Sequence, residues 1–234
     1  MAKVYGLVPA ELRAGVTGDA FERLWLNEYA PIGLRVDWNA RLWKADRGQR
    51  TGKYMAMWEI PSIEARDRIA PEPGKVSEEG LRLLGPEFRP LGEKLGSIVM
   101  EWPSTDYIEL GANPAQTELS QGIKHDVILI ADIELKPGAG GDGFERLWLE
   151  YAVCAERIRC VPHLLKADRG VRLDQYAVMW DVPSIEWRDH LLTGPGTLSE
   201  EGLRLIGPEY VAMSARFQDF LIRWNWTDYL RVDG

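Results

Sequence analysis

Few side chains in this sequence can carry reactive chemistry near neutral pH, and its three histidines, at 125, 163 and 190, come first. His163 stands between Pro162 and Leu164 in an apolar stretch. An imidazole there could act as a general base or as an axial ligand, because its unperturbed pKa lies near 6.5. His163 is therefore the candidate catalytic residue. His190 falls in the charged run Glu186-Trp187-Arg188-Asp189 and reads as solvent-exposed, and His125 opens a strand and reads as incidental. The histidines have no ligand spacing such as H-x-x-x-H, so no metal site is expected. Cys154 and Cys160 lie six residues apart (160 − 154) without Cys or His partners, a poor pattern for a bridge or a metal. No G-x-S-x-G elbow is present. What remains is aromatic: Tyr54, Trp58, Tyr176 and Trp180 could wall a pocket for a flat ligand, with Arg41 or His163 as its polar anchor.

These residues sit in a repeat. Gly18-Asp19-Ala20-Phe21-Glu22-Arg23-Leu24-Trp25-Leu26 returns from Gly141 as Gly-Asp-Gly-Phe-Glu-Arg-Leu-Trp-Leu, an offset of 123 (141 − 18). One residue is lost near Asn27, and later matches run at 122 (166 − 44), as in Lys44-Ala45-Asp46-Arg47-Gly48 against Lys166-Ala167-Asp168-Arg169-Gly170. Pro61-Ser62-Ile63-Glu64, Ser77-Glu78-Glu79-Gly80 and Thr105-Asp106-Tyr107 all recur. A match of this length with one indel marks an internal duplication. The expected organisation is one unit over 1–112, a linker over 113–124 containing Asn113-Pro114, and a second unit over 125–234.

Each unit reads as strand, helix, strand, strand, helix, strand. His125 to Leu135 is β-branched and apolar, and alternation in Tyr54-Met55-Ala56-Met57-Trp58 puts Tyr54, Ala56 and Trp58 on one face. Asp19-x-x-Glu22 and Asp142-x-x-Glu145 predict capping boxes at the first helix. Pro86 and Pro208 predict a kink or a fresh helix start. The Asp-Arg-Gly segments at 46–48 and 168–170 are expected at hairpin turns. Trp25/Trp148 and Trp102/Trp224 are expected to fill space between sheet and helices. Positions where the copies differ, namely Arg41 against His163, Trp38 against Cys160, Trp43 against Leu165 and Arg68 against His190, are where function could enter.

The βαββαβ order, repeated with tryptophans at the sheet, resembles a tandem dimeric α/β barrel of the antibiotic-biosynthesis-monooxygenase and stress-responsive type. The resemblance implies an α+β fold: two fused ferredoxin-like units forming an intramolecular pseudo-dimeric barrel with helices outside. Members include cofactor-independent monooxygenases of polycyclic aromatics, haem-degrading oxygenases, polyketide cyclases, chlorite-dismutase-like haem proteins and stress-response proteins, and fold alone does not choose among them.

The bulk properties narrow the partners. With 28 basic and 36 acidic residues the chain carries −8, which repels nucleic acid and anionic membranes. No apolar run reaches the ~20 residues of a spanning helix, and residues 1–12 lack signal-peptide features. The expectation is a soluble cytoplasmic protein, a self-contained pseudo-dimer with higher oligomers left open. It would bind a hydrophobic small molecule, as a cofactor-independent oxygenase or cyclase. Two alternatives stand beside that reading, a non-catalytic stress-related or assembly barrel and a haem-binding protein.

Overall fold

The computed structural model describes residues 2–101, 103–111 and 125–233; Trp102 and the expected linker lie outside them. The first half runs β1 (Val4–Leu12), α1 (Gly18–Arg23), a π-helical stretch (Leu24–Tyr29), α2 (Ala30–Gly33), β2 (Asn39–Gly48), β3 (Tyr54–Ile60), α3 (Ile63–Ile69), α4 (Glu78–Leu84), α5 (Phe88–Ile98), β4 (Val99–Glu101) and β5 (Thr105–Leu110). The second runs β6 (Val127–Leu135), α6 (Gly141–Glu156), β7 (Val161–Gly170), β8 (Tyr176–Val182), α7 (Ile185–Leu191), β9 (Leu192–Gly194), β10 (Thr197–Leu198), α8 (Glu200–Ile206), α9 (Glu209–Phe217) and β11 (Leu221–Arg231).

Strand pairing closes the sheet. The first half is ordered β5-β1-β3-β2 and the second β11-β6-β8-β7, the same arrangement in each. β2 pairs with β11 and β5 with β7, so eight antiparallel strands form a closed barrel, with β4 added beside β1. Period-2 alternation then assigns every strand residue a side. Tyr5, Leu7, Trp43, Met55, Met57, Tyr107, Ile130, Leu165, Met179 and Tyr229 pack the interior. The opposite faces carry the helices, through one core of Phe21, Trp25, Leu42, Tyr54, Ala56 and Leu95 and another of Phe144, Trp148, Leu164, Tyr176, Val178 and Phe217.

Local structure follows the sequence with three departures. The capping-box expectation fails. Thr17 caps α1, its hydroxyl accepting from the Ala20 N–H at 3.3 Å, and α6 starts at Gly140 with no side-chain cap. Glu22 and Glu145 instead accept from the Tyr54 and Tyr176 hydroxyls at 2.6 and 2.5 Å, because those phenols need partners once buried.

The Asp-Arg-Gly segments do lie in the hairpins, past the last hairpin bonds at Ala45 and Ala167, but depart in also continuing β2 and β7 against β11 and β5. Asp46 accepts from Arg188 at 2.6 Å, Asp168 faces Arg66 at 2.7 Å, and Arg47 donates to Asp228 at 2.7 Å. Each of these pairs ties one half to the other. Gly48 (φ 106°) and Gly170 (φ 100°) lie so close to the Trp226 and Ser104 carbonyls that a Cβ would collide with them. Short-range turn propensity does not register such long-range contacts.

Third, the residue by which the halves differ is absorbed as a π-helical stretch over Leu24–Tyr29, where the second half has one regular helix. Because the extra residue is taken up within one turn, Trp25 and Tyr29 stay in contact (ring centroids 5.3 Å), as Trp148 and Tyr151 do (5.2 Å). The fresh helix starts at the two prolines are present. α4 ends before Gly85 and α8 before Gly207, and α5 and α9 begin just after Pro86 and Pro208.

Candidate functional site

The sheet separates the candidate residues. Arg41 and His163 share the inward parity of Trp43 and Leu165, whereas Tyr54, Trp58, Tyr176 and Trp180 face the helices. The expected pocket, with aromatic walls and Arg41 or His163 as anchor, is therefore not assembled: its parts lie on opposite sides of one sheet.

Inside the barrel, the end carrying β1 residue Tyr5 holds a charged cluster. Arg41 pairs with Glu59 at 2.9 Å. His163 places Nδ1 2.6 Å from Glu109 and Nε2 3.3 Å from Asp181, with the Tyr5 ring edge-on at 5.9 Å. Burial alone pushes this imidazole's pKa down, but Asp181 and then Glu109 outweigh it and lift the value to about 10. The ring is thus a buried imidazolium with both nitrogens engaged. It holds two carboxylates together and offers no lone pair to a substrate. The same charge draws the Asp181 carboxyl down against its own desolvation. His125 lies near this cluster, buried and shifted downward by desolvation, with neither ring nitrogen partnered among the described residues.

The outer face of the first half holds an open groove between sheet and helices. One cavity of about 250 Å³ is lined by Gly6, Tyr29, Trp38, Trp58, Pro73 and Ser104, among others, and a deeper one of about 90 Å³ continues it toward Ile32, Leu84 and Phe88. The rings of the aromatic wall contact one another. Trp58 stands edge-on to Tyr29 (5.9 Å) and Trp38 (6.1 Å), and Tyr29 stacks on Phe88 (5.8 Å). The Trp38 indole nitrogen is buried with no acceptor among the described residues.

The polar end of the groove is formed by Arg66, Asp106 and Arg169. Arg66, 2% exposed, sits 2.7 Å from Asp168, 2.9 Å from Asp67 and 3.7 Å from Asp106. Arg169 donates to the Ala70 carbonyl at 2.8 Å and to Asp67. Burial raises the Asp106 carboxyl above the ordinary aspartate value, and Arg66 and Arg169 only partly reverse this. A carboxylate with a raised pKa beside an aromatic-walled cavity is equipped to accept a proton.

The equivalent groove of the second half is shut. Gly6 corresponds to Leu129 (129 − 123 = 6), which is buried, and Ser104 to Trp226 (226 − 122 = 104). The Trp226 indole meets Trp180 edge-on at 6.3 Å and covers Gly196, where a Cβ would lie 2.2 Å from the ring. At the corresponding Gly74 nothing lies within 4 Å. The second half has a cavity of about 240 Å³ of its own, displaced toward α9 and lined by Tyr210, Ser214, Phe217 and Trp224, with Gly196 and Trp226 at its border.

Of the expected wall residues, then, only Trp58 borders the open groove. Trp180 is 5% exposed in the shut one, and Tyr54 and Tyr176 are pinned by Glu22 and Glu145. The groove residues that sequence reasoning passed over are Tyr29, Gly6, Ser104, Arg66 and Asp106, and Arg169 was read only as part of a hairpin turn. Gly6 and Ser104 had a signal, since they too are mismatched positions of the repeat. Asp106 was hidden within the retained Thr-Asp-Tyr.

None of the three histidines lines the open groove: His163 is held by two carboxylates in the barrel, His190 is half-exposed beside Glu201, and His125 belongs to the barrel end. The residues present do not fit an axial haem ligand in a groove. Among the described residues no group of three His, Cys, Asp or Glu could hold a metal ion, and no helix is long and apolar enough to cross a membrane.

Solved structures match over nearly the full chain. A "putative monooxygenase" from Fusobacterium nucleatum superposes with a TM-score of 0.60 at 8% identity, covering 99% of this chain and 93% of its own. Another so described, from Lactobacillus acidophilus, gives 0.59 at 10% identity, over 99% and 94%. An anthrone oxidase-like protein gives 0.55 at 11% identity, over 99% and 91%. The fold is that of the dimeric α/β barrels. At such identities the likeness speaks for the barrel and not for its chemistry. No family model matches the chain, and no curated relative matches it.

Proposed function

We propose that this barrel binds a flat, hydrophobic aromatic molecule bearing an acidic hydroxyl or enol in the groove of its first half, and acts on it as a cofactor-independent oxygenase or cyclase. The asymmetry of the grooves carries this reading: one copy of the unit is open and aromatic-walled, and the other is filled by Leu129 and Trp226. Trp58, Tyr29 and Trp38 would sandwich the ring system, and the Trp38 indole would donate to a ligand oxygen. Asp106 takes the proton of the acidic group in this mechanism, and Arg66 and Arg169 stabilise the resulting oxyanion. His163, an imidazolium on the far side of the sheet, serves as a fixed charge of the barrel and not as the base. The two units work as a fused pseudo-dimer, dissolved in the cytoplasm, without nucleic acid or membrane as partner.

Anthrone is a suitable probe, since its enol is acidic and its ring system flat. The expected result is saturable quenching of tryptophan fluorescence with one site per chain, and oxygen uptake that falls as pH drops through the raised Asp106 pKa. Asp106→Asn should retain binding and lose uptake. Quenching that never saturates, or that survives Ser104→Trp unchanged, would sink the reading. Binding without oxygen uptake in the wild type would favour the non-catalytic barrel, which the tightly packed interior around Trp43 also supports.

A further inference from the structure

The barrel interior opens at the end opposite His163. A cavity of about 220 Å³ there is lined by paired positions of the two halves: Arg50 and Arg172, Thr105 and Thr227, Tyr107 and Tyr229. Its floor is apolar, built from Leu7, Met55 and Ile130. The two arginines are matched in sequence (172 − 122 = 50) but not in surroundings. Arg172 is neutralised by Asp132, and it also donates to Gln175 at 3.0 Å. The residue corresponding to Asp132 is Pro9 (132 − 123 = 9), so the repeat supplies Arg50 with no carboxylate. Among the described residues Arg50 makes no ion pair, and its Nε is buried without a partner. Its neighbour in the cavity is the Tyr229 hydroxyl, just as Tyr107 is the neighbour of Arg172. The nearby rim charges cancel, Lys53 with Glu11 and Arg223 with Glu134. One positive charge is left over in a partly buried pocket ringed by hydroxyls, where an unpaired ion is costly and a bound anion is worth more than in water.

We infer that this mouth is an anion site, distinct from the groove, for a small organic monocarboxylate. The carboxylate would accept from the Arg50 guanidinium in a charge-assisted, two-pronged contact and from the threonine and tyrosine hydroxyls. A short apolar body would rest on Leu7, Met55 and Ile130. Pro9 in place of a second aspartate is the feature that makes the pocket cationic.

Calorimetric titration with sodium benzoate at low salt tests this. Binding with one site is expected, weakening as ionic strength rises, at least ten-fold weaker for neutral benzyl alcohol, and lost in Arg50→Gln while Arg50→Lys retains part of it. Pro9→Asp supplies the missing carboxylate and should weaken benzoate at least ten-fold even if Arg50→Gln fails to fold. Ser104→Trp, which fills the groove, should leave benzoate affinity within two-fold. Benzoate binding that disappears in Ser104→Trp and persists in Arg50→Gln would place it in the groove and overturn the inference. So would Arg50-dependent binding of inorganic phosphate without binding of benzoate, which would remove the apolar body from the assignment.

Discussion

The two grooves are built from the same repeated elements, yet one is open and the other is filled. Trp58 and Trp180 occupy equivalent strand positions, opposite Gly6 and Leu129 respectively. With leucine in place of glycine in the floor, and tryptophan in place of serine at the rim, the groove beside Trp180 is closed and the second half's cavity lies toward α9. The lumen differs in a parallel way. Arg41 reaches one carboxylate where His163 clasps two, and Arg50 lacks the aspartate that Arg172 has. The retained residues hold strands, caps and the cross-half ion pairs, and the exchanged ones decide what each surface can accept. Mismatches within the repeat thus mark where the two surfaces diverge, while polar groups such as Asp106 and Arg66 are retained in both halves.

The comparison can be broken at its most buried point. His163→Gln removes the cation between Glu109 and Asp181, and leaving those carboxylates facing each other should cost about 3–5 kcal/mol. The sign follows from the raised pKa. The imidazolium contributes fully below the unfolded value near 6.5, and its contribution fades as pH rises through about 10. Thermal melts should therefore separate variant and wild type most at pH 6 and least above pH 10. A constant gap across that range would contradict the assigned charge.

Ser104→Trp copies the shut groove onto the open one. Anthrone affinity should drop about 100-fold, equivalent to about 2.7 kcal/mol, with the melting temperature held or raised. The converse, Trp226→Ser, should destabilise by about 1–3 kcal/mol, since the indole is only half-buried, and should open a second, weaker anthrone site. A stoichiometry that stays at one would mean that Leu129 alone keeps that groove closed. Deleting Asn27 should matter least. A regular helix then replaces the π-helical turn while Trp25 and Tyr29 keep their faces, so stability should move by less than about 1 kcal/mol and affinity by less than ten-fold.

Much of the architecture was legible in the sequence because it rests on local periodicity. Alternation in Tyr54–Trp58 identified the strand, Pro86 and Pro208 marked new helices, and the offset of 122–123 matched strand to strand. The candidate site was less legible, because a pocket depends on which side of which sheet a residue faces and on what lies across it. Arg41 and Trp58 are both strand residues of one unit, but only the barrel's closure puts the first inside and the second outside. Asp106 read as scaffold because its twin Asp228 is scaffold, fully buried and bonded to Arg47; in the first half the matching arginine, Arg169, turns to Asp67 and the Ala70 carbonyl. Glu22 and Glu145 read as caps because sequence distance favoured the helix N-terminus over a tyrosine more than thirty residues away in each case.

The barrel's closure through β2–β11 and β5–β7 has one more consequence. In a barrel made from two identical chains, every substitution appears twice, so a residue that improves one cleft is forced upon the other, along with any loss of packing there. Here both clefts are written once, in a single chain. Trp226 can brace one side while Ser104 leaves the other vacant, and binding and rigidity can be refined separately.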